Sequence, residues 1–283
     1  MLKPKKSVPE EELVDFEEQV ELFEKMVSDS TEKRLMFVRA LGGRGKTCLL
    51  RLMRRHCRQQ DISYCWVDFR GTSYDSPHLT LAHEICDQFG LLPRHLAEAL
   101  LPLSARGTTA GEVSAHIGGD VIGSKVITQI LTSVDLKDET LHQDYMKGRL
   151  KRAFAADLSA LVKEKTLAVC FLDSFEDVTL EAESWLQDAL LCPVREGELQ
   201  GVIVVTGGQR WPKINDWDWE DSAHLIKELP PLSVEHIKAY AQKVQVEISH
   251  EEAEFCWRLC RGGLPIFMGM VVKDLRARVE VRP

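Results

Sequence analysis

The apolar residues of this chain follow two kinds of pattern. Four short runs, at 35–39, 62–70, 167–172 and 201–206, are almost continuously apolar or rich in β-branched and aromatic residues. Such runs are typical of parallel strands that are buried on both faces. Longer stretches between them carry apolar residues at helical spacing. The alternation predicts an α/β fold in which helices at 46–58, 77–90 and 139–164 cover a parallel sheet.

Helical spacing also marks both ends of the chain. After a polar leader, apolar residues recur on one face of a predicted acidic helix at 11–29, which we expect to dock on the sheet: Leu13, Phe16, Val20, Phe23 and Met26. From 229 onward the pattern is helical, with Ser233 as an N-cap and a break at 262–265, which predicts a small helical lid.

Between 104 and 135 the pattern changes, because glycines separate short apolar pairs. This spacing predicts a β arm inserted into the sheet domain. No Lys-Ser or Lys-Thr pair follows these glycines at a helix start, so a structural or partner-contacting arm is favoured over a phosphate site. The predicted domains are thus a leader and docking helix at 1–28, a sheet domain at 29–228 that contains the arm, and a lid at 229–283.

The first predicted strand runs into a glycine-rich segment that ends at a predicted helix. In such a loop the backbone N–H groups close around phosphate oxygens, and the helix N-terminus adds partial positive charge. Lys46 would neutralise the β- and γ-phosphates, and the Thr47 hydroxyl would bind Mg²⁺. The residues expected to bind the nucleotide here are Gly42, Gly43, Arg44, Gly45, Lys46, Thr47 and Cys48.

The match is to a relaxed form of the phosphate-loop pattern. Ala40 occupies the position of the first glycine in the strict pattern G-x-x-x-x-G-K-[ST]. The alternative is a glycine-rich turn that happens to end in Lys-Thr. A strand before the loop and a helix after it favour the phosphate loop.

Carboxylates follow the third apolar run. Asp173 would emerge at the carboxyl edge of the sheet, where open α/β sheets bind ligands. Because phosphate-bound Mg²⁺ takes only one or two protein oxygens, Asp173 together with Thr47 would suffice to hold it. Glu176, or else Asp177, would orient or deprotonate a water molecule. The alternative for both is a carboxylate that caps the helix beginning near 180.

The fourth apolar run ends in a segment that contains Arg210. A cation at this strand end can sense the γ-phosphate, so Arg210 is the candidate sensor. The alternative is an arginine in a surface loop with no part in the site.

Composition limits the function classes. The chain has 283 residues and a net charge of −8, which does not favour a protein that coats nucleic acid. It contains neither a long uninterrupted apolar run nor the apolar core of a signal peptide, so we expect a cytosolic protein without a membrane segment. The eight cysteines form no C-x-x-C pair, which favours buried, reduced thiols.

Taken in order, these motifs resemble the nucleotide-binding module of the STAND class of AAA+-related P-loop ATPases. Bacterial members of that class serve as regulatory switches in defence and signalling. The resemblance covers nearly the whole chain from about residue 11. Segment 42–47 resembles the family's phosphate loop, 170–176 its Walker B strand, and 204–210 its sensor strand. Segments 229–233 and 263–265 resemble its lid, in which the resemblance implies that Pro265 contacts the nucleotide.

The chain also departs from that family. Its N-terminal motif is represented only by Leu13–Glu17, and Ser174 occupies a position where many relatives carry a second acid. We therefore expect slow hydrolysis. Relatives usually continue into further domains, so the resemblance implies an effector on a separate chain or in a longer protein.

Three functions are compatible with the sequence. The first is a switch that binds ATP or ADP with Mg²⁺, hydrolyses ATP, and controls its own oligomerisation or an effector partner. The second is a non-hydrolysing scaffold subunit in which the nucleotide is a structural cofactor. The third is a DNA-loading motor that would use the arginines of 51–58 and the basic cluster at 147–152, which the acidic net charge disfavours.

Overall fold

The apolar runs form the strands of one parallel sheet. The computed structural model describes residues 16–71, 77–91, 94–104, 140–213, 219–243 and 245–261, with Gly263, Pro265 and Val271. The strands are β1 Leu35–Arg39, β2 Ser63–Asp68, β3 Ala168–Asp173, β4 Val202–Gly208 and β5 Ala223–Ile226. They lie in the order β2-β3-β4-β1-β5, and every neighbouring pair is parallel. The predicted α/β fold with a parallel sheet is confirmed.

The helices alternate with these strands along the chain. They are α1 Glu17–Val27, α2 Lys46–Gln59, α3 Pro77–Gln88, α4 Arg94–Ser104, α5 Thr140–Lys165, α6 Leu180–Leu186, α7 Cys192–Arg195, α8 Val234–Lys243 and α9 His250–Leu259. A 3₁₀ turn at Phe175–Asp177 follows β3, and a π-helical segment at Gln187–Leu191 joins α6 to α7.

Helices bury both faces of the sheet. Successive residues of a strand point to opposite faces, so each strand contributes to both. In β1, Leu35 and Phe37 pack on the face covered by α3 to α6, whereas Met36 and Val38 pack on the face covered by α1 and α2. All six residues of β3 are buried. This explains the continuous apolar runs, since neither face of these strands meets water.

The N-terminal helix α1 docks on the sheet through apolar contacts. Its Phe23 and Met26 are fully buried, and the Phe23 ring lies 5.9 Å from that of Phe171 on β3. Burial of one such side chain contributes about 1.5–3 kcal/mol. The exposed Lys25–Glu21 ion pair of the same helix contributes about 0.3–0.5 kcal/mol. Packing therefore holds α1 in place, as the helical spacing predicted.

Several elements differ from the sequence-based expectations. Strand β5 and helix α4 were not predicted, and α1 begins at Glu17 within the described residues. The N–H groups of His95 and Leu96, at the start of α4, donate to the buried carboxylate of Asp157 on α5 (3.1 and 3.0 Å), which caps α4. Most of the predicted β arm at 104–135 lies outside the described residues.

The C-terminal helices form their own apolar cluster. It includes residues of α8 and α9 together with Leu232 and Val271, and it is separate from the two clusters on the sheet. Ser233 accepts a hydrogen bond from the N–H of His236 (3.1 Å), so it caps α8 as predicted. The boundary at 229 stays a prediction.

The cysteines are free thiols. Six of the eight are buried, and Cys48 and Cys192 are partly buried. Burial raises the pKa of Cys57 to about 12, so this thiol stays protonated at neutral pH. No helix among the residues that the structure describes is both long enough and apolar enough to cross a bilayer.

Candidate functional site

The glycine-rich segment forms a tight loop between β1 and α2. Gly43 and Gly45 have φ of 80° and 94°, in the left-handed region that favours glycine. A Cβ atom on Gly45 would lie 2.7 Å from Phe16 Cζ and 3.3 Å from Pro265 Cγ. The loop therefore requires glycine at this position, and it leads directly into the N-terminus of α2, where partial positive charge favours an anion.

Lys46, the first residue of α2, points back over the loop. Its ammonium group donates hydrogen bonds to the carbonyl oxygens of Ala40 (2.8 Å) and Leu41 (3.2 Å), and the residue is 8% exposed. Among the described residues, no carboxylate lies within ion-pair distance of it. Burial lowers the pKa of Lys46, an effect that the charges of Glu176 and Asp173 oppose. The ammonium group is thus placed to neutralise a bound anion.

The two residues predicted to bind the metal meet at the carboxyl edge of the sheet. Thr47 Oγ1 donates to Asp173 Oδ2 at 2.8 Å, although the two residues are 126 positions apart in the sequence. Asp173 ends β3, is 1% exposed, and also accepts a hydrogen bond from the N–H of Ser174. Burial raises the pKa of Asp173, whereas the bonds from Thr47 and Ser174 lower it.

Glu176 lies in the 3₁₀ turn that follows β3. Its carboxylate accepts two hydrogen bonds from Gln209, one from the backbone N–H (2.9 Å) and one from the side-chain amide (3.1 Å). Gln209 directly follows β4, the strand between β1 and β3. The carboxylate is therefore fixed in orientation beside the phosphate loop, as a group that positions water must be.

A cavity of about 420 Å³ joins these groups. It is within the size range of small-molecule sites. The predicted site residues that line it are Gly42, Gly43, Gly45, Lys46, Thr47, Cys48, Asp173, Glu176 and Pro265. Arg44 and Arg210 were predicted with them but do not line it.

Arg210 instead contacts a buried carboxylate. Its guanidinium donates to Glu183 Oε1 (2.8 Å) and lies 5.6 Å above the ring centre of Phe175. Glu183 is 2% exposed and also accepts from the N–H of Lys213. The ion pair compensates the buried charge of Glu183 and holds the Arg210 guanidinium against α6. The γ-phosphate-sensing role of Arg210 stays a prediction.

Gln209 and Arg70 line the cavity but were not predicted as site residues from the sequence. Gln209 was passed over for its charged neighbour Arg210, although the end of a buried strand was the right signal. Arg70 follows β2, and its guanidinium donates to Ser174 Oγ at 3.0 Å. Nothing local in the sequence places Arg70 at the site, because its position depends on β2 pairing with β3.

The donor groups fit a magnesium–nucleotide complex. The Thr47 hydroxyl and the Asp173 carboxylate supply hard oxygen ligands of the type that Mg²⁺ prefers. Lys46, the loop backbone and the start of α2 supply the positive charge that phosphate groups need. Phe16 and Pro265 both lie close to Gly45, so the N-terminal segment and the segment that contains Pro265 both border the site.

Comparison with known proteins identifies the fold. The structure is similar to the Walker-type ATPase PABY2304 of Pyrococcus abyssi, with a TM-score of 0.53 and 15% identity over 95% of this chain and 69% of that chain. A more distant similarity is to PCH-2 of C. elegans, with a TM-score of 0.36 and 12% identity over 83% of this chain and 48% of that chain. The sequence matches no protein-family model and no curated protein. The chain thus has the α/β fold of a P-loop ATPase.

Proposed function

We propose that this chain is an ATP-binding and ATP-hydrolysing molecular switch. The observation that supports this most directly is the meeting of Lys46, Thr47 and Asp173 at one cavity on the carboxyl edge of the sheet. The three side chains supply a phosphate-binding cation, a hydroxyl ligand and a carboxylate ligand in the arrangement that phosphoryl transfer from a nucleotide needs.

The remaining residues have separate roles in hydrolysis. Glu176 orients a water molecule and accepts a proton from it. The water oxygen bonds to the terminal phosphorus while the bond from that phosphorus to the bridging oxygen breaks, and ADP and phosphate form. Lys46 holds the phosphate oxygens, and Gln209 holds Glu176 in orientation. A magnesium ion at Thr47 and Asp173 would neutralise negative charge on the phosphates.

The hydrolytic step is tested by replacing the proposed base. Glu176→Gln keeps the hydrogen bond from the backbone of Gln209 but removes the proton acceptor. We expect phosphate release to fall by about 10²–10⁴-fold, while the Kd for ATP stays within about threefold. Asp177→Asn is the matched control, because Asp177 lines the same cavity one residue away. Full turnover in Glu176→Gln together with loss of turnover in Asp177→Asn would show that Asp177, and not Glu176, is the base.

The switch function rests on contacts of the phosphate loop with other segments. Phe16 and Pro265 both approach Gly45, so a nucleotide in the loop would alter the positions of the N-terminal segment and the lid together. This supports control of self-association or of an effector partner, as in the STAND class that the sequence resembles. A ligand shifts such an equilibrium only through its different affinities for the two states.

The switch is tested by measuring mass in solution by light scattering, with and without ATP and Mg²⁺. We expect assembly, or binding of an effector, to depend on nucleotide in the wild type and to be lost in Lys46→Ala. If Lys46→Ala assembles as the wild type does, the switch proposal fails.

A second candidate is a scaffold subunit that binds nucleotide without hydrolysing it. Ser174 favours it, because a neutral hydroxyl stands beside Asp173 where a second acid would assist the attack of water. Tight ATP binding with no phosphate release in the wild type would support the scaffold. Slow release that disappears in Asp173→Asn would support the ATPase.

A further inference from the structure

The chain after β2 is fixed beside the acidic edge of the site. Asp68, the last residue of β2, is in register with Asp173, and the N–H of Phe69 donates to the Asp173 carbonyl oxygen at 3.1 Å. The N–H of Arg70 donates to Asp68 Oδ1 at 3.0 Å, and Gly71 turns the chain with φ of 69°. These contacts fix the backbone of Arg70 next to the end of β3.

The side chain of Arg70 points into the cavity. Its Nη2 donates to Ser174 Oγ at 3.0 Å, and the residue lines the cavity together with Lys46 and Glu176. Its charge acts on the site: burial raises the pKa of Asp173 and the charge of Arg70 opposes that rise, whereas burial lowers the pKa of Lys46 and the charge of Arg70 adds to that lowering. The guanidinium is therefore within electrostatic range of both the metal-binding carboxylate and the phosphate-binding ammonium group.

Ser174 orients Arg70 without neutralising it. The serine is 3% exposed and has φ of 59°, so its position is fixed by the turn after β3. Among the described residues, its hydroxyl is the acceptor that the guanidinium contacts, and no carboxylate pairs with Arg70. A guanidinium has five N–H donors, and a neutral acceptor leaves its charge available to an anion. A carboxylate at position 174 would remove that charge from the site.

The sheet order indicates which part of a nucleotide Arg70 can reach. The phosphate loop follows β1, and Arg70 follows β2, which is separated from β1 by β4 and β3. The site residues Asp173 and Glu176 follow β3, between these two ends. Since the proposed magnesium ligand Asp173 and the proposed base Glu176 act on the terminal phosphate, that phosphate would lie between the loop and Arg70.

We propose that Arg70 is a catalytic residue that contacts the terminal phosphate of ATP within the same chain, and that Ser174 positions it. The inference rests on the proposed function, because it assigns Arg70 to the same nucleotide site. Fixed positive charge at the terminal phosphate stabilises the charge that develops during its transfer. It also makes the site distinguish ATP from ADP, since ADP lacks the group that Arg70 contacts.

The test is calorimetric binding of ADP and of a non-hydrolysable ATP analogue, each with Mg²⁺. We expect Arg70→Ala to weaken binding of the ATP analogue by about 10- to 100-fold, which is the range for a charge-assisted hydrogen bond. The Kd for ADP should stay within about twofold of the wild-type value. Arg152→Ala on α5 is the control for loss of one positive charge, because Arg152 is exposed and its partner in the described part of the chain is the Gly148 carbonyl oxygen of its own helix. Equal effects on both nucleotides, or no effect on either, would overturn the assignment.

Two further variants separate contact from folding. Arg70→Lys keeps the charge but not the planar fork, so it should recover only part of the preference for the triphosphate. Ser174→Ala leaves Arg70 in place but removes its anchor, and it should reduce the preference by a smaller factor than Arg70→Ala. An unchanged preference in Ser174→Ala would overturn the positioning role. If the wild type binds neither nucleotide, the proposed function itself fails, whereas tight binding of both with an unaltered ratio in Arg70→Ala rejects Arg70 alone.

Discussion

One cleft lies at the amino ends of the strands, which we call the amino edge, and another at their carboxyl ends, the carboxyl edge; the two differ in how their charged side chains are paired as well as in volume. The cleft at the amino ends of the strands, bordered by Arg34, Leu167 and Gly201, measures about 1040 Å³, compared with about 420 Å³ for the cavity at the carboxyl ends. In the larger cleft Arg34 donates to the carbonyl oxygen of Met26 (2.8 Å) and pairs with Asp29. In the smaller cavity the partners of the Lys46 ammonium group among the described residues are two carbonyl oxygens.

The two edges differ in what happens to their charges. Arg195 at the amino edge pairs with Glu196 at 2.8 Å and lies 5.1 Å from the ring centre of Trp219. At the carboxyl edge Lys46 and Arg70 are oriented by neutral acceptors, and Asp173 by neutral donors. Charges satisfied by the protein need no ligand, whereas charges that are oriented but not neutralised favour one. This difference supports the smaller cavity as the candidate functional site.

The test of this comparison with the largest expected effect removes one lysine from each edge. Lys46→Ala should weaken ATP binding by about a hundredfold or more, because it removes the ammonium group that neutralises the phosphates. Lys163→Ala, which lines the amino-edge cleft, should leave the Kd for ATP within about twofold. Both are measured by calorimetry with Mg²⁺ present. Equal losses in the two variants would show that net charge, rather than the site, governs binding.

A second test replaces one glycine at each edge. Gly201 has φ of 81°, and a Cβ there would lie 2.6 Å from the Thr166 carbonyl oxygen and would collide with Val162. Gly201→Ala should lower the free energy of unfolding by about 1–3 kcal/mol and leave nucleotide affinity unchanged. Gly45→Ala, where the Cβ would meet the Phe16 ring, should weaken ATP binding by about tenfold, or ~1.4 kcal/mol.

Urea unfolding reports the first quantity and calorimetry the second. If Gly201→Ala also lost nucleotide affinity at temperatures where it stays folded, the two edges would be energetically coupled, and the comparison would fail.

The smallest effect concerns the stability cost of the site. Burial raises the pKa of Asp173 above its value in the unfolded chain, so the folded state binds more protons than the unfolded state between the two values. The free energy of unfolding of the nucleotide-free protein should therefore fall as pH rises through this window. In Asp173→Asn the amide oxygen can still accept from the N–H of Ser174 and the amide NH₂ can donate to Thr47 Oγ1, but there is no charge to desolvate. This variant should unfold at a slightly higher temperature at pH 7 and lose this part of the pH dependence.

Thermal unfolding followed by circular dichroism between pH 4 and 8 measures both changes. A lower unfolding temperature for Asp173→Asn at pH 7 would show that the carboxylate stabilises the nucleotide-free fold instead of destabilising it.

Local pattern was sufficient to predict the sheet and much of the site. The loop at 42–47 and Asp173 were found because a phosphate loop and a buried strand ending in acid are continuous in sequence. Strand β5 was missed because it is four residues long, lies at the edge of the sheet and has a polar His224 in its middle.

The side-chain partners were less predictable, since they depend on strand order. Arg70 reaches the site only because β2 pairs with β3, and Arg210 points away because Glu183, from a separate helix, is buried beside it. An isolated arginine at a strand end gives no indication of which carboxylate, hydroxyl or ligand it will meet.

Phe16 and Pro265 are almost 250 positions apart in the sequence, yet both rings lie close to Gly45. Because the packing is close, neither ring can shift without altering the free space around this glycine. A displacement of either segment would therefore change the space around Gly45 directly, through van der Waals contact.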